Sequence, residues 1–203
     1  MCIAERQARR HRPRAEHGIS LVELIVFIVI VGIAVAGVVG ALSMATRAST
    51  DPMIQKQALA IAEALLEEVQ LQPFTYCDPD DLPNAASALS AADCTGGAGG
   101  VNDENRLPLG PEAGETRTSA TTPYDNVSDY NGFSVTGITD LTGAPIAGLE
   151  NYTWSVTVAN QALGAIPATD SLLITVTVDG PPGTNTKVVL DGYRVRYAPN
   201  ALP

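Results

Sequence analysis

Histidine is almost missing from this 203-residue chain: the two present, His11 and His17, both lie within its first 17 residues. Beyond them there is no imidazole, which excludes Ser-His-Asp and Cys-His nucleophile systems and the usual zinc sites. Carboxylate-pair chemistry survives that test, but no spacing singles out a pair. No catalytic residue, metal site or cofactor is therefore assigned, and the chain reads as a non-enzyme. Basic residues are also few, with 12 Lys and Arg against 22 Asp and Glu and a net charge of −10. Such a surface repels phosphate, so nucleic acid is not an expected partner. Cysteine is scarce, at Cys2, Cys77 and Cys94 only.

What the chain does have is one long uncharged run, within "EHGISLVELIVFIVIVGIAVAGVVGAL" at 16–42. Between Glu23 and Arg47 lie 23 residues without charge, and only Ser43 and Thr46 among them are polar. As a helix they cover roughly 34 Å, enough for a ~30 Å hydrocarbon core. Upstream, Arg6, Arg9, Arg10, Arg12 and Arg14 against Glu5 and Glu16 give +3, which keeps the N-terminus cytoplasmic and exports the rest. A secretory signal differs in having a short apolar region of ~7–15 residues followed by its small-residue cleavage site. Here the run is longer, and the small residue, Gly18, precedes it. The Arg9-Arg10 pair has no other twin-arginine feature beside it.

A basic leader, a glycine, an apolar residue and a Glu five positions after the glycine together resemble the class III signal of type IV prepilins. The matching residues are "GISLVEL" at 18–24. The resemblance implies cleavage by a membrane prepilin peptidase between Gly18 and Ile19 and methylation of the new N-terminus at Ile19. It also implies an assembly role for Glu23, residue five of the mature chain. Ile19 stands where most relatives carry Phe. The implied partners are other pilin subunits through the N-terminal helix, the prepilin peptidase, the inner-membrane assembly platform and the membrane itself. The expected location is a single-pass inner-membrane anchor with a periplasmic head, and then a surface filament. Removing the leader takes away +3 and leaves −13 on the mature chain.

Loss of the leader also removes Cys2. Cys77 and Cys94 then stand in an oxidising compartment, either bridged or as two unpaired thiols. The exported setting favours a disulfide.

Further along, "STDPMIQKQALAIAEALLEEVQL" reads as an amphipathic helix with Asp51 as N-cap and Pro52 as first helical residue. Ile54, Ala58, Ile61, Leu65 and Val69, with Ala62 and Leu66 beside them, form its apolar stripe. Glu63, Glu67 and Glu68 lie away from it, and Pro73 ends the helix. The resemblance joins this segment and the apolar run into one long pilin helix. Residues 78–122 are rich in Ala, Gly, Asn, Asp and Pro and read as an irregular excursion. Asp78, Asp80 and Asp81 lack the Asp-x-Asp-x-Asp-Gly pattern with a distal Glu and read as a solvated acidic turn. Asp125 and Asp129 read as turn-forming residues.

The end of the chain alternates with period two. Tyr152, Trp154, Val156 and Val158 form one set, and Leu172, Ile174, Val176 and Val178 a second. Val188 and Leu190, then Tyr193, Val195 and Tyr197 against Arg194 and Arg196, form a third. Such alternation predicts an antiparallel sheet with one buried face, covered by the 54–69 stripe. The fold expected is α+β and type IV pilin-like. Its parts are a leader at 1–18, a transmembrane or filament-core helix at 19–46 and an amphipathic half at 47–72. A loop region at 73–125 and the sheet at 126–203 follow. Asn126-Val127-Ser128 and Asn151-Tyr152-Thr153 match glycosylation sequons and are taken as unmodified.

The 51–81 segment, "YDNVSDYNGF" and "YRVRYAP" are further similar to minor pilins of mannose-sensitive haemagglutinin pili. A minor, low-abundance pilin of such a pilus is the function implied. The alternatives are a minor pseudopilin of a type II secretion system or a non-polymerising, membrane-anchored periplasmic binding module.

Overall fold

The computed structural model describes residue 18 and residues 20–200, apart from the side chains of residues 45–51. The leader through residue 17, the predicted new N-terminus Ile19 and the side chain of Asp51 lie outside the described residues. The chain forms two units, Met1–Ala48 and Ser49–Pro203.

One helix, α1, runs over Leu21–Leu71. Because its helical backbone continues through Asp51 and Pro52, Asp51 is not an N-cap, which would require a non-helical residue there. Pro52 withholds one N–H from the ladder but leaves the element unbroken. In the first unit, Leu21–Met44 is long and apolar enough to cross a membrane, and none of it is buried. Every backbone polar group of such a segment must be satisfied within the segment, and a helix does that.

In the second unit four strands form an antiparallel meander: β1 Ser134–Thr136, β2 Thr153–Asn160, β3 Ser171–Asp179 and β4 Lys187–Val195, in that spatial order. The three-residue β1 escaped the sequence reading because it is too short to alternate. The register aligns the inward residues in rows. Trp154 pairs with Val178 and Val178 with Val188; Val156 pairs with Val176 and Val176 with Leu190; Val158 pairs with Ile174 and Ile174 with Gly192. Ala58, Ile61, Ala62, Leu65 and Val69 of α1 pack into one core with Trp154, Val156, Val158, Leu172, Ile174, Val176 and Val178. This is the α+β arrangement expected of the pilin-like fold.

The phase of β4 differs from expectation. Alternation continues straight through Gly192, so Leu190, Gly192, Arg194 and Arg196 share the inner side, while Tyr193 and Tyr197 are exposed. A glycine sits in the row because α1 comes close: a Cβ at Gly192 would stand 2.9 Å from Leu66 Cδ1 and 2.4 Å from Gln70 Nε2. Arg196 is inward because aromatic rings receive it. Its guanidinium lies 3.9 Å from the Phe74 ring centroid and 4.4 Å from that of Tyr76. It also donates to Thr169 O at 2.8 Å and to Asp170 Oδ1 at 3.1 Å.

Candidate functional site

Gly18 is exposed, precedes α1 and has nothing within 4 Å of where a Cβ would stand. The helix starts just beyond it, with Leu24 N–H donating to Ser20 O at 3.1 Å. Glu23 falls in the first turn and is exposed. A carboxylate is favoured there, since the N-terminal end of a helix carries partial positive charge. Glu23 thus suits the end of the helix where it stands.

In the head, Cys77 and Cys94 form a disulfide with their Cα atoms 5.3 Å apart. The bridge is packed with Ala85 and Ala88, and Tyr76 lies against them, in a small core separate from the main one. The segment after the loop is fastened beside Cys77, where Asp78 N–H donates to Asn102 O and Glu104 N–H to Tyr76 O, both at 3.1 Å. Replacing Cys77 and Cys94 together by Ala should cost about 3 kcal/mol on the loop-entropy estimate. Denaturant unfolding with and without reductant checks this; an unchanged midpoint under reduction would contradict it.

The acidic residues of this region are not a solvated turn. Asp78 and Asp81 are buried and only Asp80 is exposed. Asp81 is internally satisfied, accepting from Thr95 N at 2.7 Å, Thr95 Oγ1 at 2.6 Å and Asn84 Nδ2 at 3.3 Å. Asp78 instead faces carboxylates from other segments. Oxygens of Asp78, Asp80 and Asp125 lie within 4.8 Å of one another, as do those of Asp78, Glu112 and Glu115, and those of Glu104, Glu112 and Asp129. Asp129 does form a turn, its Oδ2 accepting from Asp125 N at 3.0 Å and Asn126 N at 2.8 Å. It is also buried, as are Glu104 and the neighbouring Ser128, whose hydroxyl bonds Glu104 Oε2.

Crowding of like charge away from water makes these groups hard to ionise. Burial, with Glu115 close by, raises Glu112 to about 8. Burial raises Asp129 to about 8 and, with Asp78 and Glu115 adding to it, Asp125 to about 7. Burial and the Asp129 and Glu112 charges push Glu104 well above the ordinary carboxyl range. Among the described residues, the ion pairs formed are Arg117 with Glu68, Lys187 with Asp179 and Arg196 with Asp170, so no Lys or Arg neutralises this patch.

Glu68 departs from the surface role expected of it. It receives Arg117 through two bonds of 2.7 Å and Tyr130 Oη at 3.0 Å, tying the irregular segment to α1. Helical spacing placed Glu68 off the apolar stripe, and nothing local announced an arginine arriving from residue 117. Asn126 is fully buried and its amide donates to Thr75 Oγ1 at 2.7 Å, so the sequon at 126 is closed to glycosylation in the folded head.

No curated protein and no solved structure matches the chain. Residues 13–39 match the family model of the prokaryotic N-terminal methylation motif, a span that includes Gly18, Ile19, Glu23 and much of the apolar helix. The chain thus carries the N-terminal signature of type IV pilin-like prepilins, which implies membrane association and processing by a prepilin peptidase.

Proposed function

We propose that the chain is a minor pilin, a low-abundance subunit that enters or initiates a filament after its leader is removed. The observation that carries this is the matched N-terminal motif opening a helix whose Leu21–Met44 portion is apolar and wholly exposed. An apolar helix without a protein cover needs lipid or other helices around it, and a pilin uses both in turn. The peptidase cuts between Gly18 and Ile19, Ile19 is methylated, and Glu23 sets each subunit against its neighbour. The head remains periplasmic until the assembly platform extracts the subunit into the filament. Its role is structural rather than catalytic.

The finer reading, a pilus of the mannose-sensitive haemagglutinin type rather than a secretion pseudopilus, rests on the resemblance of segments 51–81, 124–133 and 193–199 to its minor pilin D protein alone. The finer parts proposed are 1–18 as leader, 19–46 as anchor and filament core, 47–72 as the head's helix, 73–125 as its bridged loop region and 126–203 as its sheet region.

Co-expression of the full chain with a prepilin peptidase, followed by mass spectrometry of the N-terminus, tests the processing step. The parent should begin at N-methylated Ile19. Gly18→Val should keep its +3 leader, because a side chain then stands where the peptidase requires none. A parent chain that begins at any other residue overturns the proposal.

A further inference from the structure

Among the described residues, no Lys or Arg forms an ion pair with the acidic patch of the head. Glu104 is 3% exposed and Asp129 1%, and each leaves one carboxylate oxygen, Oε1 and Oδ1, with no hydrogen-bond partner. Both carboxylates contribute an oxygen to the group that lies within 4.8 Å together with Glu112. Buried carboxylates are normally paired, hydrogen-bonded or bound to metal. Here the first is absent among the described residues and the second is half complete.

We propose that Glu104, Glu112 and Asp129 form the inner wall of a Ca2+ site, extended toward the surface by Asp78 and Glu115. The donor set is entirely carboxylate oxygen, without sulfur or imidazole, which selects a hard cation over zinc or copper. Ca2+ accepts 6–8 oxygens in irregular arrangements, whereas Mg2+ requires a near-ideal octahedron and retains several waters. The neighbouring group of Cys77, Asp81 and Cys94 supplies the contrast. Its sulfurs are bonded to each other, and the Asp81 oxygens already accept three donors. The patch built around Glu104 and Asp129, by contrast, has buried carboxylate oxygens to spare.

The ligands come from three irregular stretches, the residues just after Tyr76, those around Glu104 and the 112–115 turn, and from the short 3-10 helix Val127–Tyr130 that carries Asp129. A bound Ca2+ would link all four. The head would then depend on the cation for the order of its irregular half, as it depends on Cys77–Cys94 for the loop nearby.

The test uses the full chain in detergent micelles, freed of metal with a chelator and titrated at neutral pH with CaCl2 or MgCl2. Calorimetry should show one saturable Ca2+ per chain with Mg2+ much weaker, and the melting temperature should rise with Ca2+. Glu104→Gln with Asp129→Asn should lower Ca2+ affinity by at least ~10-fold, because affinity follows ligand charge. In chelator this variant should melt no lower than the parent, since the amides carry no charge whose burial is unfavourable. If it does not fold, Glu112→Gln at the half-buried edge carries the same comparison, and Asp191→Asn outside the patch should bind as the parent does. No saturable Ca2+ binding by the parent, or parent-like affinity in the folded ligand variants, overturns the proposal.

Discussion

Replacing Arg117 by methionine is expected to lower the stability of the head by about 3–5 kcal/mol, the range for breaking a buried ion pair from one side. The Arg117 side chain is 4% exposed and that of Glu68 16%, so neither charge is bathed in water. The guanidinium makes two 2.7 Å bonds to Glu68 and reaches Thr139 O at 3.2 Å and Asp140 O at 3.3 Å. It also lies 5.1 Å from the Trp154 ring centroid, so its loss opens one side of the largest buried residue. Glu68 would keep only the Tyr130 hydroxyl. Removing both charges with Glu68→Leu and Arg117→Met should recover a large part of the loss, because no uncompensated ion remains. Denaturant unfolding of the four chains of this cycle measures it. A single-variant loss below ~1 kcal/mol would show the pair to behave like an exposed one.

If the chain acts as the pilin proposed above, Glu23→Ala is expected to abolish filament entry while leaving membrane insertion and cleavage as they are in the parent. An ionised carboxylate inside a lipid span is unfavourable, by ~3 kcal/mol at a helix centre for comparable charges. Glu23 stands four positions from Ile19, ~6 Å along a helix, so in the membrane it can reach the headgroups. Packed among other helices it loses that water and needs a cation. The proposed partner is the amine that cleavage uncovers on the neighbouring subunit's copy of Ile19, and their pairing fixes the axial register. Glu23→Asp, one methylene shorter, should be intermediate. The readout is recovery of the subunit in sheared filaments against its level in the inner membrane. Assembly of Glu23→Ala at the parent's level would remove Glu23 from the registration role.

The parts of the fold legible in the sequence are those governed by short-range period. The stripe from Ala58 to Val69 and the alternation of β2 and β3 each state their own buried face, and the core follows when they meet. Contacts decided by residues far apart in the chain leave no such local mark. Gly192 invites a change of phase when β4 is read alone, but opposite Leu66 it is the small residue that keeps the phase. Glu68 looks like a solvent-facing helix residue until Arg117 arrives. The acidic patch is the extreme case. Asp78, Glu104, Glu112 and Asp129 occupy separate, aperiodic segments, so no spacing rule gathers them, whereas the N-terminal motif is contiguous and was readable at once.

The place of β4 has a consequence in time. Gly192 and Arg196 near the end of the chain complete packing against Leu66 and Phe74 near the head's beginning. Neighbouring strands of the meander pair locally and early, but this closing contact spans most of the head and carries a large loop-entropy cost. An emerging chain therefore presents its apolar helix well before β4 has been made to cover the second half of it. A chain already anchored at its N-terminus would wait at the membrane with the Ala58–Val69 stripe uncovered. In that interval the exposed stripe is the part of the head most prone to aggregate.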